Sequence, residues 1–537
     1  MLGDIYFQRS EWKTSEEYLA KYVSFENNMA SADEAWLKIG LSRERQERYV
    51  EAIEAFDRVL GESSTDSHRL HARFEKGQCL VAAGKLEEAE RIFRQVVTET
   101  NDKRFAAFAE NHLGAMAMRR KAYKEAAEHF ERALGQATGT PVEADILLGY
   151  GKAQSADGRY AAAEETFARF LEKHATDARV SEARAQRAIA LSRLERFEEA
   201  LSVIETSEPG FKALHPALVS TLQYEKAWCL RKLERPAAKD AYQSLIAENV
   251  EPSLRANALL ELADIETSAK RYEIAKTHLV KLKELIQAPS SSVSPDVQEQ
   301  ALHRLGVCEF QLDRFKEAAE ALEEFLEKFA QSSLVASASA FCGEAWVKAG
   351  RDDRAVTHLS HVVERFPSDP AHSAALLRLG EAQATLQRWT QSENALTQYL
   401  ERYPQSESWY QAQFGIGWAR ENQGRHDDAI SAYRLVVERH KGATAARAQF
   451  QIGECLFAKK QYQDAAAELL KVDILYAYPE WSAAALYEAG RCFDKLTKPA
   501  ESQAQFRMVI EKFGQTRWAA LAKEHLAETN GNGPGSR

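Results

Sequence analysis

No apolar run in this sequence reaches the roughly 18 residues that a membrane-spanning helix requires, so no transmembrane segment is expected. Positive charge is not in excess: 70 Lys and Arg against 80 Asp and Glu give a net charge of -10, with the basic residues scattered among acidic ones. The absence of a basic stripe argues against a nucleic-acid partner. Cysteine is scarce, six in 537 residues, and no two form the CxxC pair that metal or redox chemistry uses. Catalytic signatures are missing too. Gly77 to Gly84-Lys85-Leu86 has the wrong spacing for a phosphate loop and lacks its Ser or Thr, and Gly415-Ile416-Gly417 is followed by Arg420 where a dinucleotide fingerprint needs its third glycine. Glu128-His129 and Glu524-His525 lack the second histidine of a zinc helix. The chain is therefore expected to be no enzyme and to need no cofactor or metal.

What the sequence does contain is one skeleton repeated from end to end, clearest over Phe414 to Tyr433. Numbered from Gly417 as zero, a small residue follows at +7 (Gly424), another at +12 (Ala429) and an aromatic at +16 (Tyr433). Small residues let two helices approach closely, and Gly424 stands where a helix end favours a left-handed residue, so the segment predicts a helix-turn-helix hairpin. Zero positions recur at Gly3, Gly40, Gly77, Gly114, Gly151, Ala188, Ala227, Ala263, Gly306, Gly343, Gly380, Gly417, Gly453 and Gly490, and nine of the thirteen intervals are 37 residues. A fixed period of this kind marks a solenoid, whose units bury their apolar faces only against neighbours. Position +12 is often Ala and +16 Phe, Leu or Tyr, one helical face four residues apart, while +9 is often aromatic, as at Tyr49, Tyr123, Tyr160, Phe197, Tyr272, Phe315, Trp389 and Tyr462, placed to close the turn. Five of the cysteines stand at +2 and read as buried packing residues; free thiols of this kind favour a reducing compartment.

The pattern of Gly, Gly, Tyr, Ala, Phe and Pro resembles the tetratricopeptide repeat over almost the whole chain, with Pro367 and Pro404 at +24, where that family ends its second helix. The resemblance implies an all-α, right-handed superhelical solenoid of about fourteen helix-turn-helix repeats. The period of 37 rather than 34, and large residues such as Val96, Phe170 and Tyr399 at +19, depart from the usual repeat. That long form is similar to repeats of bacterial envelope proteins, such as the periplasmic coordinator of the Tol-Pal system and the lipoprotein of the outer-membrane assembly machine.

Residues 1–528 are expected to form a single solenoid, with irregular joints near 205–216 and 286–297, a capping helix near 515–528 carrying Leu521 and Leu526, and a disordered tail over 529–537. The first joint rests on Glu205 to Gly210 with Pro209 and on His215-Pro216, the second on the Ser and Pro loop from Ala288 to Pro295. In the unit of Ala227 the turn is a residue short, and Ala238 and Tyr242 serve as its small and large pair. Gly3 sits in mid-helix, so the first repeat reads as truncated and open to self-association. An upstream signal or lipid anchor is thereby left open, and with it the periplasm or envelope rather than the cytoplasm.

Positions -3, +1 and +4 share a face of the first helix distinct from the one used within the hairpin. In tetratricopeptide arrays that face lines the concave groove. Two clusters are the groove-binding candidates. Tyr224, Trp228 and Arg231, with nearby Arg193 and Lys232, combine aromatic anchors with positive charge, the mixture enriched at binding hot spots. Phe414, Trp418, Glu421, Phe450, Glu454 and Tyr487 are aromatic and acidic and suit a basic or amphipathic segment. The family's carboxylate clamp, Lys at -3 with Asn at +1, is absent from every unit. The expected function is a scaffold that recruits a protein or peptide partner in its groove, with bacterial envelope assembly as a setting. The alternative is a structural or self-associating rod, or a regulatory fragment of a longer repeat protein.

Overall fold

The structure is a computed structural model that describes residues 1–25, 29–61, 65–137, 139–289 and 291–531. Among the described residues there are 29 helices and no strand. The first 28 follow one another as hairpins, from Leu2–Gln8 with Trp12–Phe25 to Pro479–Lys495 with Pro499–Lys512, and Arg517–Gly531 ends the series. The chain divides into two compact units, Met1–Ala258 and Leu259–Arg537.

Each hairpin is fixed by two local devices. The first is the turn. All fourteen +7 residues have positive φ: Gly84, Gly158, Gly350 and Gly424, and ten residues with side chains, among them Glu47, Lys121, Gln387 and Lys460. Around each of them the +8 N–H donates to the +3 carbonyl at 2.8–3.0 Å, as Arg425 does to Arg420, the six-to-one bond of a left-handed helix cap. Glycine enters this region freely, whereas a Cβ costs about 1–2 kcal/mol there, so ten units carry strain that four avoid.

The second device is the contact between zero and +16. A Cβ built on any of the eleven zero-position glycines would lie within 3.0 Å of the +16 side chain of its own unit, for instance 2.6 Å from the Tyr433 ring at Gly417 and 2.5 Å from Leu396 at Gly380. The glycine thus exists because a large side chain lies across the helix there. Ala429, Tyr433 and Val436 are wholly buried on the matching face of the second helix. Rings at +4 and +9 meet across the turn, Phe310 with Phe315 at 5.4 Å and Phe457 with Tyr462 at 5.2 Å.

Within each unit, first helices of successive hairpins touch one another, as Val335–Lys348 does Ala371–Thr385, and Val180–Arg193 does Pro216–Lys232; successive second helices show no comparable contact among the described residues. The first-helix layer is therefore the more closely spaced one, which makes it the inner side of the curve in each unit.

Several expectations about irregular segments need correction. The helix Phe197–Phe211 runs through Pro209, although proline removes a backbone donor there, and the joint shrinks to residues 212–215 before Pro216–Lys232. The loop after Tyr272–Gln287 is followed by Pro295–Gln311; its Ser290 lies outside the described residues. The last helix reaches Gly531, so residues 529–531 of the expected tail are helical, and 532–537 lie outside the described residues. Leu521 does not face the core: it is 39% exposed, and Ala519 and Ala522 are buried instead. All six cysteines are free and buried, and burial pushes the Cys79 thiol up to about 12.

Candidate binding surface

In the Met1–Ala258 unit, Tyr224, Trp228, Arg231 and Lys232 all lie on the helix Pro216–Lys232, and Arg193 ends the neighbouring first helix. Their charges are largely committed within the chain. Arg193 Nη2 donates to Glu225 Oε1 at 2.5 Å, and Ser192 Oγ donates to Glu225 Oε2 at 2.6 Å. Glu225 is fully buried, and burial raises its pKa despite the adjacent guanidinium. Lys232 Nζ stands 4.4 Å from the centre of the Trp228 ring, and Tyr224 meets the buried Tyr242 edge-on at 5.8 Å. Glu225 was missed because it sits at -2, on the flank of the stripe read from the sequence.

In the Leu259–Arg537 unit the helices Ala371–Thr385, Trp409–Asn422 and Ala443–Ala458 present their inner faces to a cavity of about 580 Å³. Glu381, Phe414, Trp418 and Arg447 line it, with Thr385 and Gln411 among its polar groups. Phe414 and Trp418 pack ring against ring at 6.0 Å, and Phe414 rests on Tyr433 at 5.3 Å. The Arg447 guanidinium lies over both, 4.2 Å from the Trp418 centre and 4.6 Å from Phe414, with Trp481 at 5.8 Å. Yet Arg447 has no hydrogen bond or ion pair among the described residues, its Nε is buried, and burial lowers its pKa.

The carboxylates near it are engaged elsewhere. Glu421 accepts from the Tyr433 hydroxyl at 2.7 Å and from Gln451 Nε2 at 2.9 Å; Glu381 takes Arg378 at 2.7 Å. Phe450 joins this group through Trp481, ring centres 5.6 Å apart. Glu454 and Tyr487 do not line the cavity. Tyr487 packs on Phe506 and Trp518. Burial, reinforced by the neighbouring Glu488, pushes the Glu454 carboxyl up to about 7, against the pull of Arg491, and its Oε1 is buried with no hydrogen-bond partner. Arg447 was missed although a signal existed: it lies three residues before Phe450, so extending the -3, +1, +4 stripe by one turn reaches it.

Among the described residues one group of potential metal ligands, Glu323, Cys342 and His358, has its ligand atoms within 4.8 Å of one another. The lone pairs of Glu323 are already taken by Trp346 Nε1 at 2.9 Å, Arg354 Nη2 at 2.6 Å and His358 Nε2 at 3.0 Å. With the Arg354 guanidinium 3.9 Å over the Trp346 ring, a positive charge already stands where a cation would enter, and the cluster is a side-chain network. No helix among the described residues is long and apolar enough to cross a membrane.

A turn with a left-handed residue, a glycine under a large side chain and an inner layer of first helices define a helical-hairpin repeat protein. The chain belongs to the tetratricopeptide repeat family: models of that repeat match residues 1–67, 45–110, 117–187, 304–370, 343–407, 377–444, 414–480 and 484–516. No protein with a curated description matches the chain. Among solved structures, a tetratricopeptide repeat protein from Parabacteroides merdae is 15% identical, with 50% of this chain and 96% of that chain covered and a TM-score of 0.34. The apo form of the quorum sensor NprR from B. thuringiensis is 11% identical over 63% of this chain and 99% of its own, with a TM-score of 0.40. A MamA protein is 17% identical over 34% and 90%, with a TM-score of 0.30.

Proposed function

We propose that this chain is a non-enzymatic scaffold that recruits a protein partner along the first-helix face of its Leu259–Arg537 unit. The observation that carries this reading is the cavity of about 580 Å³ on that face, walled by Phe414 and Trp418 and holding an arginine that makes no hydrogen bond or ion pair among the described residues. Aromatic and arginine side chains in a partly dry pocket are the residues from which binding hot spots are made. A photo-crosslinking amino acid placed at Trp418 is expected to give a discrete protein adduct in cells, and the same group at exposed Glu401, on a second helix, none. Equal labelling from both positions, or none from Trp418, overturns the reading. A place in bacterial envelope assembly is supported by the 37-residue period alone.

A second reading, association of two copies, is favoured by the apolar edge of the first hairpin, where Leu2, Ile5, Tyr18 and Tyr22 are exposed. Light scattering across concentration tests it: a mass that rises in the natural chain and not in Ile5→Ser/Tyr18→Ser supports it, and a constant mass ends it.

A further inference from the structure

On the inner face of the Leu259–Arg537 unit, Arg447 lines the cavity and its hydrogen-bonding capacity is left unused among the described residues. The faces of its guanidinium are used by Trp418 and Phe414, but the N–H donors of a guanidinium lie in its plane, and no acceptor meets them among the described residues. Stacked rings fix the orientation of the group without neutralising it, so less freedom is lost when an acceptor arrives. A planar donor fork matches a carboxylate, which it can grip with two parallel hydrogen bonds. Leu396 and Phe414 form an apolar wall of the same cavity, whose volume of about 580 Å³ has space for a large side chain. Glu381 also lines the cavity, paired with Arg378, and the nearby Glu421 has its oxygens bound to Tyr433 and Gln451. Those two carboxylates repel a run of acidic residues more strongly than a single one.

From this arrangement we infer that the cavity takes an internal segment of a partner protein carrying a single Asp or Glu, held by Arg447, next to an aromatic or long aliphatic side chain that fills the apolar wall. The inference rests on the scaffold reading and sharpens it: the partner's recognition element is acidic and apolar, where the sequence alone suggested a basic or amphipathic segment for this cluster.

The test uses the full chain and a library of random peptides displayed as internal segments, followed by synthetic peptides capped at both ends. The selected peptides are expected to share one acidic residue beside a large apolar one. Arg447→Met is expected to weaken them by about tenfold or more, Arg447→Lys by less, and Trp418→Ala to weaken them as well. Replacing the acidic residue of the peptide by its amide should remove the dependence on Arg447, so that the two changes together cost no more than either alone. Circular dichroism and a melting curve on Arg447→Met establish that the variant is folded. Peptides that need Trp418 but bind Arg447→Met unchanged overturn the inference and leave the scaffold reading standing. Selection of basic peptides, or binding only when the peptide has a free carboxyl terminus, overturns it too. If no selected peptide depends on Trp418, both readings fall together.

Discussion

Arg354 and Arg447 each lay a guanidinium over a tryptophan in the same compact unit, 3.9 Å from Trp346 and 4.2 Å from Trp418. Around Arg354 everything is matched: Glu323 accepts from the arginine, from the indole of the fully buried Trp346 and from His358. Around Arg447 the nearby carboxylate, Glu421, is already bound to Tyr433 and Gln451, and the arginine meets no acceptor among the described residues. One motif is therefore stabilising structure, and the other is a structure with an unused interaction. A stacked arginine indicates a binding site only when its carboxylate is missing.

The comparison breaks most visibly at Glu323. Glu323→Ala strands a buried indole N–H and removes a charge-assisted bond, for an expected loss of about 3 kcal/mol, whereas Arg447→Met orphans nothing and is expected to change stability by less than about 1 kcal/mol. Denaturant midpoints for the two variants measure this, and equal losses would show that the two sites are alike. Next comes pH. The folded pKa of Glu454, about 7, lies above its unfolded value, so the folded chain holds the proton more tightly; stability is fully present below about pH 4.5 and is lost as pH rises through 7. The expected loss between pH 5 and pH 8 is on the order of 2 kcal/mol, and Glu454→Gln should flatten that part of the profile. A profile identical in the variant would remove Glu454 from the account.

A smaller effect sharpens the comparison from the other side. Tyr433→Phe takes one donor from Glu421 and should cost about 1 kcal/mol in melting stability, while freeing that carboxylate toward Arg447. Acid-bearing peptides should then bind less well than to the natural chain. The smallest effect is a gain. Gln387 has a φ of 58°, and Gln387→Gly should relieve the turn by roughly 0.5 kcal/mol, seen as slower amide exchange in Ala371–Thr385 with peptide affinity unchanged.

The fold was legible because the contact that sets the spacing of each hairpin joins two positions of one unit, at a fixed separation along the chain. Gly417 and Tyr433, or Gly380 and Leu396, announce each other, and the +7 turn follows from helix-end geometry even where the residue is Gln or Lys. Local rules failed where packing outweighed them, as at Pro209, which the helix absorbs, and at Leu521, displaced from the core by the closer approach that Ala519 and Ala522 allow. Phe414 and Trp418 could be placed because helical period alone puts them on the inner face. The vacancy at Arg447 could not, because it depends on Glu421, Tyr433 and Gln451, from three different helices, satisfying one another.

Because the glycine at zero meets the +16 side chain of its own hairpin, eleven of the fourteen units carry their own gauge for how far apart their helices stand. A gene encoding such a chain can lose or duplicate a 37-residue segment by unequal exchange, and each hairpin on either side of the junction still closes as before. The cavity beside Arg447 has no such insurance. Its walls come from three consecutive units, around Gly380, Gly417 and Gly453, so an exchange between residues 380 and 447 would leave an array that folds and has lost its pocket. Length is free to drift in this architecture, while the order of those three units is not.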